Sequence, residues 1–372
     1  MQSVLFIFKD QPWYHQHILD KFSTTFQFNE YIINNNLNKT SEEISKEINS
    51  IISNKDIKTT FFDYDYTSLI DKNFVSKIIS EKKVLYSGDT HENYKKIIDS
   101  AQSFSHLLIT EPEYVQRLNL LNHNCFFFPL ESSEKLYVKK NINKNIDVLF
   151  FGELKSDRQI FIDKIKKLNI NFQSNVGTRN TINDHQLVNL INSSKIVINF
   201  SKGVNKYKKE VYYQFKGRIL VSGMCGTFCL SEYSKGQNLI FKNNYPTFKN
   251  TDEMISLIKL LLNDETKLNN LSEQFYSECI NFSDKEYFPK VVEFLNNFDN
   301  KKILKKDYKI NYVNLKNRII IFSKKSKSQV LVKEFKDIYK NLKNNLNLKN
   351  IFLIICLLVL FLTFWRQSLR KN

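Results

Sequence analysis

The sequence predicts an α/β protein with two parallel-sheet domains, followed by a C-terminal apolar helix. Apolar runs of strand length alternate with segments of helical period between residues 3 and 298, which is the order of a parallel sheet covered by helices. A polar stretch at 131–145 separates two such series, and 351–365 contains no charged residue. With 372 residues, 42% of them hydrophobic, the chain can form two cores.

The first series, which we assign to a domain at 1–135, opens with an apolar strand at 3–8. A polar region follows, and within it Ile44, Ile48 and Ile52 share one face of a predicted amphipathic helix. The remaining elements alternate in type. Strands are predicted at 59–62, 83–86, 106–110 and 125–128, and a helix at 113–121.

The second series, assigned to a domain at 136–300, begins with an apolar strand that ends at Gly152. Its last predicted helix is expected to return to the first domain. Strands are predicted at 146–151, near 170–172, at 195–200 and at 227–230, and helices at 157–168, 187–191, 251–262, 264–282 and 286–298.

Strand ends of the second domain predict an anion site. In an open parallel sheet, ligands bind outside the carboxyl ends of the strands, where small residues let the backbone approach a phosphate. The strand ends carry Gly152 with Glu153, Lys202 among small residues, and Glu232. Ordinary surface loops are the alternative. The basic residues available to neutralise a diphosphate are Arg158, Lys202 and Arg218.

A titratable cluster follows the predicted strand at 83–86. Asp89, His91 and Glu92 lie at a strand end, where a histidine oriented by a carboxylate can act as a general base toward an acceptor hydroxyl. Alternatively, Asp89 caps the following helix and no chemistry is involved.

Charge and cysteine content narrow the function classes. The net charge of +17 favours anionic partners, and nucleic acid is one of them. No zinc finger or recognition-helix signature accompanies that charge, so nucleic-acid binding is the weaker hypothesis. The five cysteines are scattered and form no zinc set, which predicts free thiols in a reducing compartment.

The order of these pieces resembles glycosyltransferases of the GT-B fold, and among them the group typified by the spore-maturation protein CgeB. The resemblance rests on Phe150-Phe151-Gly152, Arg158 at a helix start, Gly217-Arg218 and the run Cys225-Gly226-Thr227. It implies two Rossmann-like domains facing a cleft, a nucleotide-sugar donor and no required metal ion. It also implies that the backbone at Gly152 and at Cys225, Gly226 and Thr227 approaches the nucleotide.

One position departs from the resembled pattern. Where related sequences place a glutamate that holds the donor ribose, this chain has Val221, which accepts no hydrogen bond. Either Glu232 takes over that role, or the protein is a non-catalytic scaffold that kept the fold.

The C-terminal region predicts a membrane anchor. A basic extension at 301–346 precedes the apolar segment at 347–369, which carries lysine and arginine near its two ends. Fifteen uncharged residues span roughly 22 Å as a helix, so full spanning and partial insertion both stay open. We therefore expect a glycosyltransferase held at a membrane, with cytoplasmic domains, that glycosylates a hydroxyl of a lipid-linked or surface-glycan precursor.

Overall fold

A computed structural model describes residues 2–8, 18–36, 38–63, 72–153, 156–176, 182–204 and 211–297. They belong to one compact unit, residues 1–299. The predicted extension at 301–346 and the predicted anchor at 347–369 lie outside the described residues. Within the described ranges, every helix is too short or too polar to cross a membrane.

The first lobe is built on a six-stranded sheet in which all neighbouring strands run parallel, in the order β2-β1-β3-β4-β5-β6. Its strands are apolar because helices cover both faces, as parallel sheets require. They are β1 (Gln2–Phe8), β2 (Phe26–Ile32), β3 (Thr59–Asp63), β4 (Lys82–Ser87), β5 (His106–Ile109) and β6 (Cys125–Phe127).

The helices of the first lobe follow from their caps and apolar faces. Thr40 and Glu43 form a capping box at the start of the helix that buries Ile44, Ile48 and Ile52 against the sheet. The helices are α1 (Asp20–Ser23), α2 (Ser41–Asn54), α3 (Lys72–Lys77), α4 (Thr90–Ser100) and α5 (Pro112–Leu120).

The second lobe is built on a five-stranded parallel sheet in the order β13-β12-β9-β7-β8, with a separate antiparallel hairpin, β10-β11. The strands are β7 (Ile146–Gly152), β8 (Phe172–Val176), β9 (Ser194–Asn199), β10 (Lys202–Val204), β11 (Val211–Tyr213), β12 (Phe228–Glu232) and β13 (Thr247–Phe248). The helices are α6 (Ser156–Lys166), α7 (Asp184–Asn192), α8 (Gly217–Met224), α9 (Gln237–Ile240), α10 (Thr251–Asn263), α11 (Glu265–Cys279) and α12 (Asp284–Asn296).

Helix α12 returns to the first lobe, as the sequence predicts. Phe288, Val291 and Leu295 are buried in the core cluster that also contains residues of β1. At its start, the buried Lys21 ammonium forms an ion pair with Asp284 at 3.0 Å and donates to the carbonyl of Pro129. Lys21 therefore ties together the two places where the chain crosses between lobes.

Most predicted elements are confirmed, with ends that differ by up to a few residues. The strand predicted near 170–172 is Phe172–Val176, and the helix predicted at 264–282 ends at Cys279 and continues as a 3-10 turn. Strands β2, β10, β11 and β13 are absent from the sequence prediction. Strand β2 is an edge strand that mixes buried and partly exposed residues, so it lacks the continuous apolar run of its neighbours.

Candidate functional site

Three strands of the second lobe end at one edge of the sheet. Because β7, β9 and β12 are parallel neighbours, Gly152, Asn199 and Glu232 lie at the same carboxyl edge. This edge collects the strand-end residues that the sequence singles out.

Arg218 lies directly against the backbone of Gly152. The glycine has a φ of +118°, and a Cβ placed there would lie 2.2 Å from Arg218 Nη2. Arg218 Nη1 donates to Asn199 Oδ1 at 3.0 Å, and its guanidinium lies 5.4 Å from the ring centroid of Phe150. Only glycine allows this approach, since its backbone conformation and the missing side chain are both required.

Among the described residues, Arg218 has no acidic partner at close range, and Glu131 attracts its charge from farther away. No carboxylate of the described residues lies within ion-pair distance of it, and its buried Nε atom has no hydrogen-bond partner there. Burial, with a further contribution from the positive charge of Arg158, lowers the pKa of Arg218 to about 10. A partly buried cation without a close acidic partner among the described residues attracts an anionic ligand.

Arg158, Glu153, Lys202 and Glu232 are linked through the backbone at the same edge. Arg158 Nη1 donates to the Glu153 carbonyl at 2.7 Å, and Nη2 reaches the Lys202 carbonyl at 3.5 Å. The Lys202 amide donates to Glu232 Oε2 at 2.7 Å. The buried Glu232 carboxylate therefore supports the backbone of the loop.

Cys225, Gly226 and Thr227 are not brought to this edge. They precede β12 and so lie at its amino end, where Thr227 Oγ1 donates to the Ile191 carbonyl at 2.8 Å. Lys144 donates to the same hydroxyl, and burial lowers the pKa of Lys144 to about 8. The length of β12 separates this run from the carboxyl edge, and its approach to a nucleotide stays a prediction.

The first lobe contributes a buried pair, His91 and Glu111. His91 Nδ1 lies 2.7 Å from Glu111 Oε1, and the two side chains are 3% and 1% exposed. Glu111 follows β5 as Asp89 follows β4, so the strand-end rule that found Asp89 also applies to it. The sequence prediction lacks Glu111 because Pro112 marks that position as a helix start.

Asp89 and Glu92 differ in their relation to this pair. Asp89 occupies the N-cap position of α4 but makes no side-chain cap bond, and its carboxylate accepts from Gln214 Nε2 at 3.3 Å. Glu92 is exposed, 3.7 Å from His91 Nε2. Capping therefore does not account for the Asp89 side chain.

The second lobe meets this cluster through residues 212–216. Gln214 Nε2 donates to Glu111 Oε1 at 3.0 Å, and the Tyr212 ring stacks on the His91 ring at 3.8 Å. Burial lowers the pKa of Lys216 to about 8, against the attraction of Asp89 and Glu111. Acidic groups of the first lobe thus face basic groups of the second.

The same cluster has ligand atoms at metal-site spacing. Asp89, His91 and Glu111 each offer one atom within 4.8 Å of the others, an arrangement that could hold a divalent cation. Gln214 Nε2 already donates hydrogen bonds to both carboxylates, and the nearby positive charge of Lys216 attracts them.

Val221 and Glu131 lie in and beside helix α8. Val221, where the resembled pattern has a glutamate, is buried in the core of the second lobe and offers no polar atom. A Cβ on Gly217 would lie 1.6 Å from Glu131 Oε2, which places the carboxylate of Glu131 at the first turn of α8. The sequence carries no signal for that contact because Glu131 comes from the segment between the lobes.

Comparison with known proteins agrees with this architecture. Residues 139–286 match a family model described as glycosyl transferase-like. The comparison with curated protein sequences found no match. Among solved structures, the chain is similar to sucrose-phosphate synthase from Thermosynechococcus elongatus (TM-score 0.55, 8% identity, covering 79% of this chain and 98% of that one). It is also similar to HepE from Anabaena in complex with UDP-glucose (TM-score 0.55, 9% identity, covering 79% and 99%).

At these identities the structural likeness establishes the fold, which is of the GT-B type. The family match covers most of the second lobe and includes Gly152, Arg158, Arg218 and Glu232. Together, the family match and the fold support a glycosyltransferase.

Proposed function

We propose that the protein transfers a sugar from a nucleotide sugar to a hydroxyl of a lipid-linked or surface-glycan acceptor, and that it is related to the CgeB group. The observation that carries the proposal is the arrangement of charge between the lobes. Arg158 and Arg218 meet at the carboxyl edge of the second sheet, and Asp89, His91 and Glu111 belong to a cluster that faces the second lobe.

The donor site is proposed at Gly152 and Arg218. The unneutralised guanidinium of Arg218 and the nearby Arg158 supply the positive charge that a diphosphate needs. Helix α8 begins at Gly217, and its N-terminal amides, beside which the Glu131 carboxylate lies, add a partial positive charge. The complex of HepE with UDP-glucose supports a uridine diphosphate sugar as the first donor to test.

The acceptor chemistry is proposed at His91. In an inverting transfer, the acceptor oxygen forms a bond to the anomeric carbon while that carbon's bond to the diphosphate oxygen breaks, and the nucleoside diphosphate leaves with the electron pair. His91 Nε2 takes the hydroxyl proton, and Glu111 holds Nδ1. The basic groups and the helix terminus stabilise the departing diphosphate, so no metal ion is required.

The membrane context is proposed from the segment at 347–369, which is outside the described residues. The uncharged run 351–365 within it, flanked by Lys349 and Arg366, binds the bilayer, while the lobes stay cytoplasmic, where nucleotide sugars are found. Full-length protein is expected to sediment with membranes, and protein truncated after residue 345 to stay in the supernatant. Equal sedimentation of both forms would refute the anchor.

Val221 favours a second candidate function, a non-catalytic scaffold. A valine buried in the apolar core supplies no ligand for a ribose. An enzyme and a scaffold differ in nucleotide binding, because a scaffold without a donor site binds no nucleoside diphosphate.

The activity test is release of nucleoside diphosphate by the full-length protein from a panel of uridine, guanosine, adenosine, cytidine and thymidine diphosphate sugars, with membrane extracts as acceptor. We expect release with one of them, reduced roughly 100-fold or more in His91→Gln. His185→Gln, in an exposed position of α7, is the control and should leave the rate unchanged. Release with none of the sugars, or full activity of His91→Gln, would contradict the proposal.

A further inference from the structure

Residues 212–216 form an extended segment that presents alternate side chains to the first lobe. Tyr212, Gln214 and Lys216 point toward the acidic cluster, whereas Val211 and Tyr213 are exposed. This alternation is that of a strand, in which every second residue shares a face. We call residues 212–216 the cap segment.

The cap segment is held from both sides. Tyr212 pairs with Gly203 across the β10-β11 hairpin, and a Cβ on Gly203 would lie 2.3 Å from the tyrosine ring. The ring therefore rests on the glycine backbone and lies against His91 at an interplanar angle of 28°. Gln214 adds hydrogen bonds to Glu111 at 3.0 Å and to Asp89 at 3.3 Å.

In this packing the proposed base is closed off, because the Tyr212 ring covers one face of His91 and the Glu92 carboxylate lies 3.7 Å from its Nε2. His91 Nε2 is buried and has no hydrogen-bond partner among the described residues. A general base must come within about 3 Å of the hydroxyl that it deprotonates. In the present arrangement the hydroxyl of an acceptor substrate cannot reach that nitrogen, so the packing between the lobes must change before the sugar is transferred.

The cap segment also leads directly to the donor site. Lys216 is attracted by Asp89 and Glu111 and repelled by Arg218 and Arg158. Two residues beyond Lys216, Arg218 lies against Gly152. A diphosphate bound there supplies negative charge that competes with the two carboxylates for Lys216.

We propose that the cap segment covers the His91–Glu111 pair until a donor diphosphate binds, and that Tyr212 and Gln214 are the positioning residues of this cap. This inference rests on the proposed function, because it assigns His91 and Arg218 to one reaction. The consequence is an ordered reaction in which the donor binds first and exposes the base to the acceptor.

The cap is tested in the ligand-free, full-length protein by hydrogen–deuterium exchange at the C2 position of histidine rings, read by mass spectrometry. Tyr212→Ala and Gln214→Ala are expected to accelerate exchange at His91 at least 3-fold. Tyr212→Phe keeps the ring and should leave exchange at the wild-type rate. His106, buried elsewhere in the first lobe, is the internal control and should exchange equally in all variants.

The response to donor is tested by adding UDP to the same proteins. UDP is expected to accelerate exchange at His91 at least 3-fold in wild type and to have no further effect in Gln214→Ala. Unchanged exchange in both alanine variants, or bound UDP without an effect on His91, would overturn the cap. If neither UDP nor another nucleoside diphosphate binds, the proposed function and the donor response both fail, and the alanine variants still decide whether the segment covers His91.

Discussion

Replacement of Arg218 by methionine is expected to remove donor binding while leaving the stability of the ligand-free protein nearly unchanged. Burial and the charge of Arg158 lower the pKa of Arg218 from 12.5 to about 10. That shift corresponds to roughly 3 kcal/mol, reduced to about 2 kcal/mol because the side chain is partly exposed to solvent. At pH 7, below both pKa values, this is a cost to the folded state, and it is relieved only above about pH 10.

The methionine variant also loses favourable interactions of the guanidinium, and this loss offsets the stability gained by removing the buried charge. The hydrogen bond to Asn199 contributes about 1 kcal/mol and the positions over the rings of Phe150 and Phe151 about 0.5 kcal/mol each. The net change in the free energy of unfolding is therefore within about 1 kcal/mol of zero. In Arg218→Met, a bound diphosphate lacks a charge-assisted hydrogen bond that contributes about 2–3 kcal/mol in wild type, so its affinity is lower by roughly 30- to 150-fold.

Urea unfolding at pH 7 measures the stability of Arg218→Met, and isothermal titration with UDP measures its affinity. Arg117→Met is the matched control, since Arg117 lies over the Tyr114 ring at 5.0 Å in the first lobe, away from the strand ends. Wild-type affinity of Arg218→Met for UDP would refute the donor site. A loss of stability above about 3 kcal/mol would refute the assignment of Arg218 as an uncompensated charge.

Three further predictions concern stability and the donor site. Burial and the neighbouring Glu111 raise the pKa of Glu113 to about 7. The folded protein therefore retains a proton there, and its stability falls as the pH rises from about 4.5 to 7. In urea unfolding, the free energy of unfolding of Glu113→Gln should exceed that of wild type by about 1–3 kcal/mol at pH 8 and equal it below pH 4.5. Lys21→Met leaves the Asp284 carboxylate without its ion-pair partner and should lower the free energy of unfolding by about 2–4 kcal/mol. A change below about 1 kcal/mol would show that the ion pair does not stabilise the two segments that connect the lobes. Gly152→Ala places a methyl group in the position of the guanidinium and should weaken UDP binding at least 10-fold by titration; unchanged affinity would place the diphosphate elsewhere.

The sequence predicts the two sheets because their strands are continuous apolar runs, and parallel strands covered on both faces require such runs. It also predicts that Gly152 and Glu232 lie at one edge of the sheet, since both end parallel strands. The resemblance to the GT-B fold predicts the return of α12 to the first lobe, where Phe288 and Leu295 are buried.

What the sequence does not provide are the contacts between distant segments. The hydrogen bonds of Gln214 to the first lobe join residues more than 100 positions apart, and no local pattern marks them. The contact of Glu131 with Gly217 has the same origin. The resemblance implies that Cys225 lies near the nucleotide, whereas helix α8 leads from Arg218 at the carboxyl edge to Cys225 at the amino end of β12.

The most direct test of the proposed function is isothermal titration of the full-length protein with UDP, GDP, ADP, CDP and TDP. One of them is expected to bind with a dissociation constant between about 1 µM and 1 mM. The reason is that Arg158 and Arg218 supply positive charge for a diphosphate at the carboxyl edge of the second sheet. Absence of measurable binding for all five would contradict a nucleotide-sugar site and leave the scaffold as the better account.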